Sequence, residues 1–399
     1  MTRFDKLVNN GLCLGCGLCE SLGREKGYSL SLKNNGFYGL NLPHDRDAAF
    51  ESSMASMCPS ISMEGADSDR VWGDARSIVK AHSTDDKIRF QSSSGGFVTA
   101  LCCYLLSSGR ADGVLHVGVC EDDPARNKLG VSRTPEDVLQ RSSSRYAPAM
   151  MFTEIKQILG DNPGQHFVFV GKSCDVLGLR SFINNFPQYA DQIILTVAIF
   201  CAGMPSYKAT EKLMALSGNQ TAPVSIRYRG MGWPGSFSVD FADGGSFSHP
   251  YSDSWLKYLG PSLHYRCKIC PDSVGTIADI SVGDAWELED GKTVFKEKPG
   301  ESCVLVRTAN AESLMDEMTA KGFIKVAPCP EAYLDAIQPN HLRKRTSSGY
   351  KIAAVRLAVP GLLRVEHLRL WRLGMKYNII KGLRDMLGAL ERLKKWRKQ

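Results

Sequence analysis

The chain has 399 residues, 43% apolar and 23% charged, a balance typical of a water-soluble globular protein, and too long for one hydrophobic core, so two or three domains are expected. Of its 49 Lys+Arg, 16 fall in residues 343–399, against 3 of its 42 Asp+Glu; the body is mildly acidic, the basic charge belongs to a tail, and nucleic-acid binding by the whole chain has no support. The first residues, MTRFD, reach a cysteine at position 13 without an apolar export segment, and no stretch approaches the roughly 20 apolar residues of a membrane span. A cytoplasmic location is expected.

Residues 1–70 are short, glycine-dotted and cysteine-bearing. Residues 27–43 alternate polar and apolar side chains around Asn34-Asn35-Gly36, a hairpin signal. From residue 71 the texture changes. Ser92-Ser93-Ser94-Gly95-Gly96 precedes an apolar helical run over 97–106, and a strand is predicted over 113–119. Two strand–turn–helix units follow. The first has a strand over 166–170, a turn at Gly171-Lys172-Ser173-Cys174-Asp175 and a helix over 176–184. The second has a strand over 193–200, a turn at Cys201-Ala202-Gly203-Met204-Pro205-Ser206 and a helix over 207–216. Such alternation predicts an α/β core with a partly parallel sheet, and open sheets of this kind bind ligands at the carboxyl ends of their strands. Antiparallel strands are predicted over 224–250 and a basic helical tail over 350–399. The expected domains are residues 1–70, 71–165, 166–345 and 346–399.

Thirteen cysteines are many for a chain without an export signal; in a reducing compartment spaced thiols read as metal ligands or catalytic groups before disulfides. Cys13-x-x-Cys16-x-x-Cys19 stands near the start, and Cys58-Pro59 follows after a gap. Thiolate is the ligand of iron–sulfur clusters, and a Cys-Pro closing one run commonly ligates the cluster held by another. The spacing therefore assigns Cys13, Cys16, Cys19 and Cys58 to one 4Fe-4S cluster. Zinc sites come more often as paired Cys-x-x-Cys units.

Cys267-x-x-Cys270-Pro271 is a second pair, and Cys174 and Cys201 each lie just past an apolar strand. Taken by themselves these four are equally consistent with a second cluster, and with a zinc site or isolated buried cysteines. Cys102, Cys103, Cys120, Cys303 and Cys329 read as small buried hydrophobes.

Together these segments, with Ser144-Arg145-Tyr146 and residues 278–286 (ADISVGDAW), resemble the beta subunits of coenzyme F420 (deazaflavin) hydrogenases and dehydrogenases, a family related to ferredoxin-dependent 7-hydroxymethyl chlorophyll a reductase. The resemblance covers residues 10–345. It implies FAD and makes Cys174, Cys201, Cys267 and Cys270 ligands of a second 4Fe-4S cluster. The fold it implies is a flavin-binding α/β core with a small ferredoxin-like module and a helical tail. Relatives with such a module often hold two clusters in it, whereas this chain keeps ligands for one.

Under that resemblance Ser93, Ser94, Gly95 and Gly96 are expected to bring a capped helix start to the flavin pyrophosphate. Gly171, Lys172 and Arg145 are expected near its phosphates or ring, and Asp284 at a ribose hydroxyl or as a plain turn cap. No acid or base emerges among His82, His116, His249, His264 and His341. The expected function is an oxidoreductase passing electrons from a ferredoxin-type donor through two clusters and FAD to an organic substrate, with a glycan substrate and polysaccharide synthesis as the setting associated with such relatives. The alternatives are a coenzyme F420-dependent beta subunit and a zinc-stabilised, non-catalytic scaffold. In the tail, Ile379, Ile380, Leu383, Met386, Leu387, Leu390, Leu393 and Trp396 recur at helical spacing among Lys and Arg. That basic amphipathic helix suits the inner face of an anionic membrane, an acidic partner or the protein's own acidic body.

Overall fold

The architecture comes from a computed structural model that describes residues 1–398. Its centre is a nine-stranded sheet of β1 (Ser77–Ser83), β2 (Gly113–Cys120), β3 (Asp123–Ser132), β4 (Ala149–Met150), β5 (Phe167–Lys172), β6 (Ile193–Ile199), β7 (Ile280–Asp284), β8 (Ser302–Val306) and β9 (Ile324–Pro328). The order is β9-β1-β8-β7-β6-β5-β2-β3-β4. The middle strands β7, β6, β5 and β2 are parallel, and antiparallel strands flank them. This is the mixed α/β sheet that strand–helix alternation predicts, and it draws strands from both 71–165 and 166–345.

Parallel strands lie buried on both faces, so their sequences are nearly all apolar, as FVFV in β5 and IILTVAI in β6 are. Side-chain alternation divides them between two cores. Phe167 and Phe169 face residues of the first 63, among them Phe4, Leu12 and Met54. Val168, Val114 and Val197 face the other way, onto α1 (Phe97–Ser107). The units β5–α2 (Ser173–Asn185)–β6 and β6–α3 (Tyr207–Ala215) stand as predicted, with one difference. No separate turn follows β5. The Asp175 carboxylate accepts from Lys172 N (2.9 Å) and so lets α2 begin at Ser173, which puts Cys174 in its first turn.

The predicted hairpin forms between Ser29–Leu32 and Tyr38–Asn41. Gly36 at its tip has φ +78° and no room for a Cβ against Ser206 Oγ. Ser206 Oγ donates to the Asn35 carbonyl (2.7 Å), and Tyr207 N donates to that of Gly36 (3.0 Å). The hairpin is thereby pinned to the loop that follows Cys201.

Past α4 (Ala309–Ala320) the tail folds as α5 (Pro339–Ala358), α6 (Leu370–Met375) and α7 (Ile379–Trp396). Of the three settings that suit its sequence, α7 takes the protein's own body, but with only part of its apolar surface. Leu393 and Trp396 are buried, whereas Ile379, Ile380, Leu383 and Leu387 are exposed. The Trp396 indole N–H donates to the Gly11 carbonyl (2.8 Å), and Tyr265 OH donates to that of Ala389 (2.8 Å). Among the described residues no helix is long and apolar enough to cross a membrane.

His116 on β2 is buried and bonded to Ser132 Oγ (2.8 Å). Burial, then the charge of Arg141, pushes it from 6.5 down to about 4, with Asp137 acting weakly the other way. Above pH 6.5 the folded and unfolded chains both carry it neutral. As pH falls the unfolded chain takes the proton first, so stability drops across that window by up to about 3 kcal/mol. His116→Asn is expected to flatten this loss, measured as urea midpoints at about pH 7 and about pH 4.5.

Candidate functional site

Eight of the thirteen cysteines gather in two cavities. The first is lined by Cys13, Cys16, Cys19 and Cys58, with Phe4, Leu7, Met54 and Pro59 among its apolar walls. Gly15 (φ +65°) and Gly17 (φ +92°) turn the chain between the first three cysteines; a Cβ on either would collide, with Tyr38 or with Thr153. Gly15 N points at Cys13 Sγ (3.4 Å).

The second cavity is lined by Cys174, Cys201, Cys267 and Cys270. Cys174 arrives on α2 and Cys201 just beyond β6, so both stand at the carboxyl edge of the parallel strands. Cys267 comes from the short helix Tyr265–Lys268. Met204 N points at Cys267 Sγ (3.4 Å). The Asp272 carboxylate, which accepts from the backbone N–H of Val274, Gly275 and Thr276, shapes the loop after Cys270. Cys16 and Pro59 line both cavities, which therefore share a wall. Buried Arg266 bridges them: it donates to the carbonyls of Pro59 (3.0 Å) and Ser60 (3.2 Å) while its neighbour Cys267 faces the second cavity.

Burial governs the electrostatics. It pushes the Cys13 thiol up to about 11, with Cys58 adding to the effect, and the Cys201 thiol up to about 12, with Cys267 adding. Cys16, Cys19, Cys58, Cys174 and Cys267 are raised by the same cause. Two cations face the second cavity. Burial alone would lower Lys172, but the Asp175 carboxylate at 2.6 Å and the thiols hold it above its ordinary value. Lys344, on α5, donates to the Ala202 carbonyl (2.7 Å). Among the described residues no three His, Cys, Asp or Glu converge tightly enough to hold a single metal ion; the thiols surround a space.

The side chains of the residues expected at a flavin have partners within the fold. No serine oxygen caps α1; its N-cap is Gly96, at φ +73°. Ser93 Oγ accepts from Ser144 N (2.6 Å), Ser94 Oγ donates to the Glu301 carbonyl (2.9 Å), and Gly95 lies against Ala81 and Glu301. Arg145 donates to Asn127 Oδ1, the Ile226 carbonyl and the Pro124 carbonyl, so it holds β3 to the strand Pro223–Arg227. Asp284 neither caps a turn nor stands free: both its oxygens receive Arg229 (2.7 and 2.8 Å), and Trp233 Nε1 donates to it at 3.2 Å. Gly171 lies on β5 against Phe169 and Asp175. His116, His264 and His341 are buried, pushed down to about 4, 3 and 3, and serve packing. Arg229, Arg266, Lys344 and Asp175 escaped sequence reasoning. A signal existed for Arg229, the glycine-rich run RGMGWPG that lets the backbone fold around its guanidinium.

The fold and its two adjoining four-thiol cavities define a mixed α/β protein organised around paired cysteine sites. Family models for the coenzyme F420 hydrogenase/dehydrogenase beta subunit match residues 78–156 (N-terminal part) and 164–332 (C terminus). The chain belongs to that family. Among curated relatives, the coenzyme F420 hydrogenase subunit beta of Methanosarcina barkeri is 25% identical, over 63% of this chain and 82% of that protein. Its counterpart from Methanococcus voltae is 24% identical, over 70% and 95%. The F420-dependent formate dehydrogenase subunit beta of Methanocaldococcus jannaschii is 23% identical, over 62% and 61%. A chain of the F420-reducing [NiFe] hydrogenase complex from M. barkeri has a similar fold, with a TM-score of 0.50 and 24% identity, covering 69% of this chain and 94% of that one.

Arg229 is 1% exposed and also packs over Tyr251 and Trp286 (4.6 and 4.8 Å to the ring centroids). Asp284→Ala would leave this guanidinium buried without its counter-ion and is expected to lower stability by about 3–5 kcal/mol. Asp284→Asn, which keeps an acceptor, should lose less. Chemical unfolding of the two variants beside the parent chain checks the order.

Proposed function

We propose that this protein is an electron-transfer subunit that carries two 4Fe-4S clusters and exchanges electrons between a partner oxidoreductase and a coenzyme F420-type deazaflavin. The single observation behind this reading is the pair of adjoining four-thiol cavities. Cys13, Cys16, Cys19 and Cys58 would hold one cluster, and Cys174, Cys201, Cys267 and Cys270 the other. The donor set fits a cluster: four thiols around a space, with backbone N–H groups directed at Cys13 and Cys267. A zinc-stabilised scaffold is the alternative that metal analysis separates from it.

Clusters of this kind supply one-electron transfer. The chain's own contribution is placement. The shared wall of Cys16 and Pro59 leaves no intervening layer between the two sites, and the apolar lining of the first excludes water. Lys172, Lys344 and Arg266 set positive charge against the negative charge that thiolate ligation creates.

A deazaflavin exchanges two electrons and a cluster one, so a flavin is required between them, which is why FAD belongs to this reading. The side chains of Ser93, Ser94, Arg145 and Asp284 already have partners within the fold. Relatives named for coenzyme F420 favour the deazaflavin over the ferredoxin-linked route, and the membership of one neighbour in a hydrogenase complex favours a protein partner. A polysaccharide setting draws no support from them.

Two measurements test the proposal. Anaerobic purification should yield about eight irons per chain, and Cys267→Ser about four, with the N-terminal cluster kept. Zinc in place of iron, or iron unchanged in the variant, overturns the assignment. The reconstituted protein, assayed for bound flavin and given a reduced one-electron donor, should bleach coenzyme F420. A flavin- and iron-loaded protein that leaves it unchanged refutes the deazaflavin.

A further inference from the structure

The tail carries an apolar surface that the fold does not cover. Trp371, Met375, Ile379, Ile380, Leu383 and Leu387 are 51–72% exposed, and all belong to α6, α7 and the short link between them. On α7 three sectors can be separated. Gly382, Asp385, Ala389, Leu393 and Trp396 face the body and are buried. Ile379, Leu383 and Leu387, each four residues from the next, form a stripe of successive turns in water, with Ile380 beside it. Lys381, Arg384, Arg392 and Lys395 fill the remaining sector.

A cleft between the tail and the body opens beside this stripe. Arg70, Arg343, Lys376, Lys381 and Arg384 line it. Its three carboxylates are already engaged: Glu331 with Arg70 (2.5 Å), Asp385 with Arg343 (3.0 Å), and Asp335 with the Trp72 indole N–H (2.7 Å). Among the described residues Lys381 and Arg384 pair with no acidic side chain, although both line the cleft. Unmatched positive charge therefore borders the exposed apolar stripe.

We infer that α6 and α7 form a docking face for an anionic phospholipid surface, with the stripe entering the acyl boundary and the cleft receiving head-group phosphates. Charge complementarity selects this occupant. Lys381 and Arg384, unpaired among the described residues, stand beside the apolar stripe, and anionic leaflets attract each lysine and arginine held near them. A solvent-facing Trp beside Ile, Leu and Met, next to a basic sector, is also the composition of helices that lie in a membrane interface.

The test uses the full chain, co-sedimented with vesicles of phosphatidylcholine alone and of phosphatidylcholine mixed with phosphatidylglycerol. Binding is expected to the mixed vesicles, weakened by salt and absent with phosphatidylcholine alone. Leu383→Glu with Leu387→Glu, and separately Lys381→Glu with Arg384→Glu, should each weaken it about 10-fold or more. All four side chains are exposed, and unchanged far-ultraviolet circular dichroism will show that the variants fold. Failure to bind mixed vesicles overturns the inference, as does binding that the variants leave intact. Lipid-independent self-association that both variants abolish would assign the face to a second copy and also overturn it.

Discussion

Everything in this molecule that concerns chemistry depends on one contact: the Arg266 guanidinium against the carbonyls of Pro59 and Ser60. Arg266 is 3% exposed, and it sits one residue before Cys267. Pro59 and Ser60 follow Cys58. The contact therefore fixes Cys58 of one cavity relative to Cys267 of the other, across 206 residues of sequence. A buried cation whose partners are removed costs several kcal/mol, so the N-terminal module cannot swing away from the sheet without a large penalty. The hairpin tip on Ser206 and Trp396 on Gly11 act in the same sense from two other directions. The module is less an appended domain than the lid of the second cysteine site.

How legible this was depends on the range of the interactions concerned. The cysteine runs are local, and their short spacings stand in the sequence. The strands β5 and β6 announce themselves by four to seven apolar residues between polar loops, because burial on both faces leaves no alternation to read. What stayed hidden pairs residues far apart. Asp284 looks like a turn residue until Arg229 is brought to it from the glycine-rich loop. Arg145 looks like a surface cation or phosphate ligand until three carbonyl and amide oxygens surround it. In both cases the residue type signalled charge, but only the fold shows that the charge already has a partner inside the protein. The tail failed differently: helical periodicity gave one apolar face, whereas packing splits it into a docked flank and an exposed one.

Burial also explains why the two cavities must be considered with their contents. Each raised thiol resists ionisation, and a ligand must be a thiolate. The fold thus opposes free thiolates at these positions and admits them only when positive charge arrives to offset them. Lys172, Lys344 and Arg266 provide part of that charge, within the protein, at the second site and along the shared wall. The first cavity has apolar walls, so its ionised state leans more heavily on whatever the cysteines bind and on the N–H groups that Gly15 and its neighbours present. Two sites that each gather four cysteines are in this way given different surroundings.

That asymmetry has a mechanical counterpart in the tail. α7 touches the module near Gly11, two residues before Cys13, and touches the second site's neighbourhood through Tyr265. Its docked flank thus spans both sites while its other flanks face water. Any surface that engages the exposed flanks must act on the same rigid helix that clamps the module down. Binding there would restrict the loosening of the module that Trp396 and Arg266 already oppose, and it would do so without touching a cysteine. The helix is consequently placed to couple contacts on its exposed flanks to how firmly the two cysteine sites are held together.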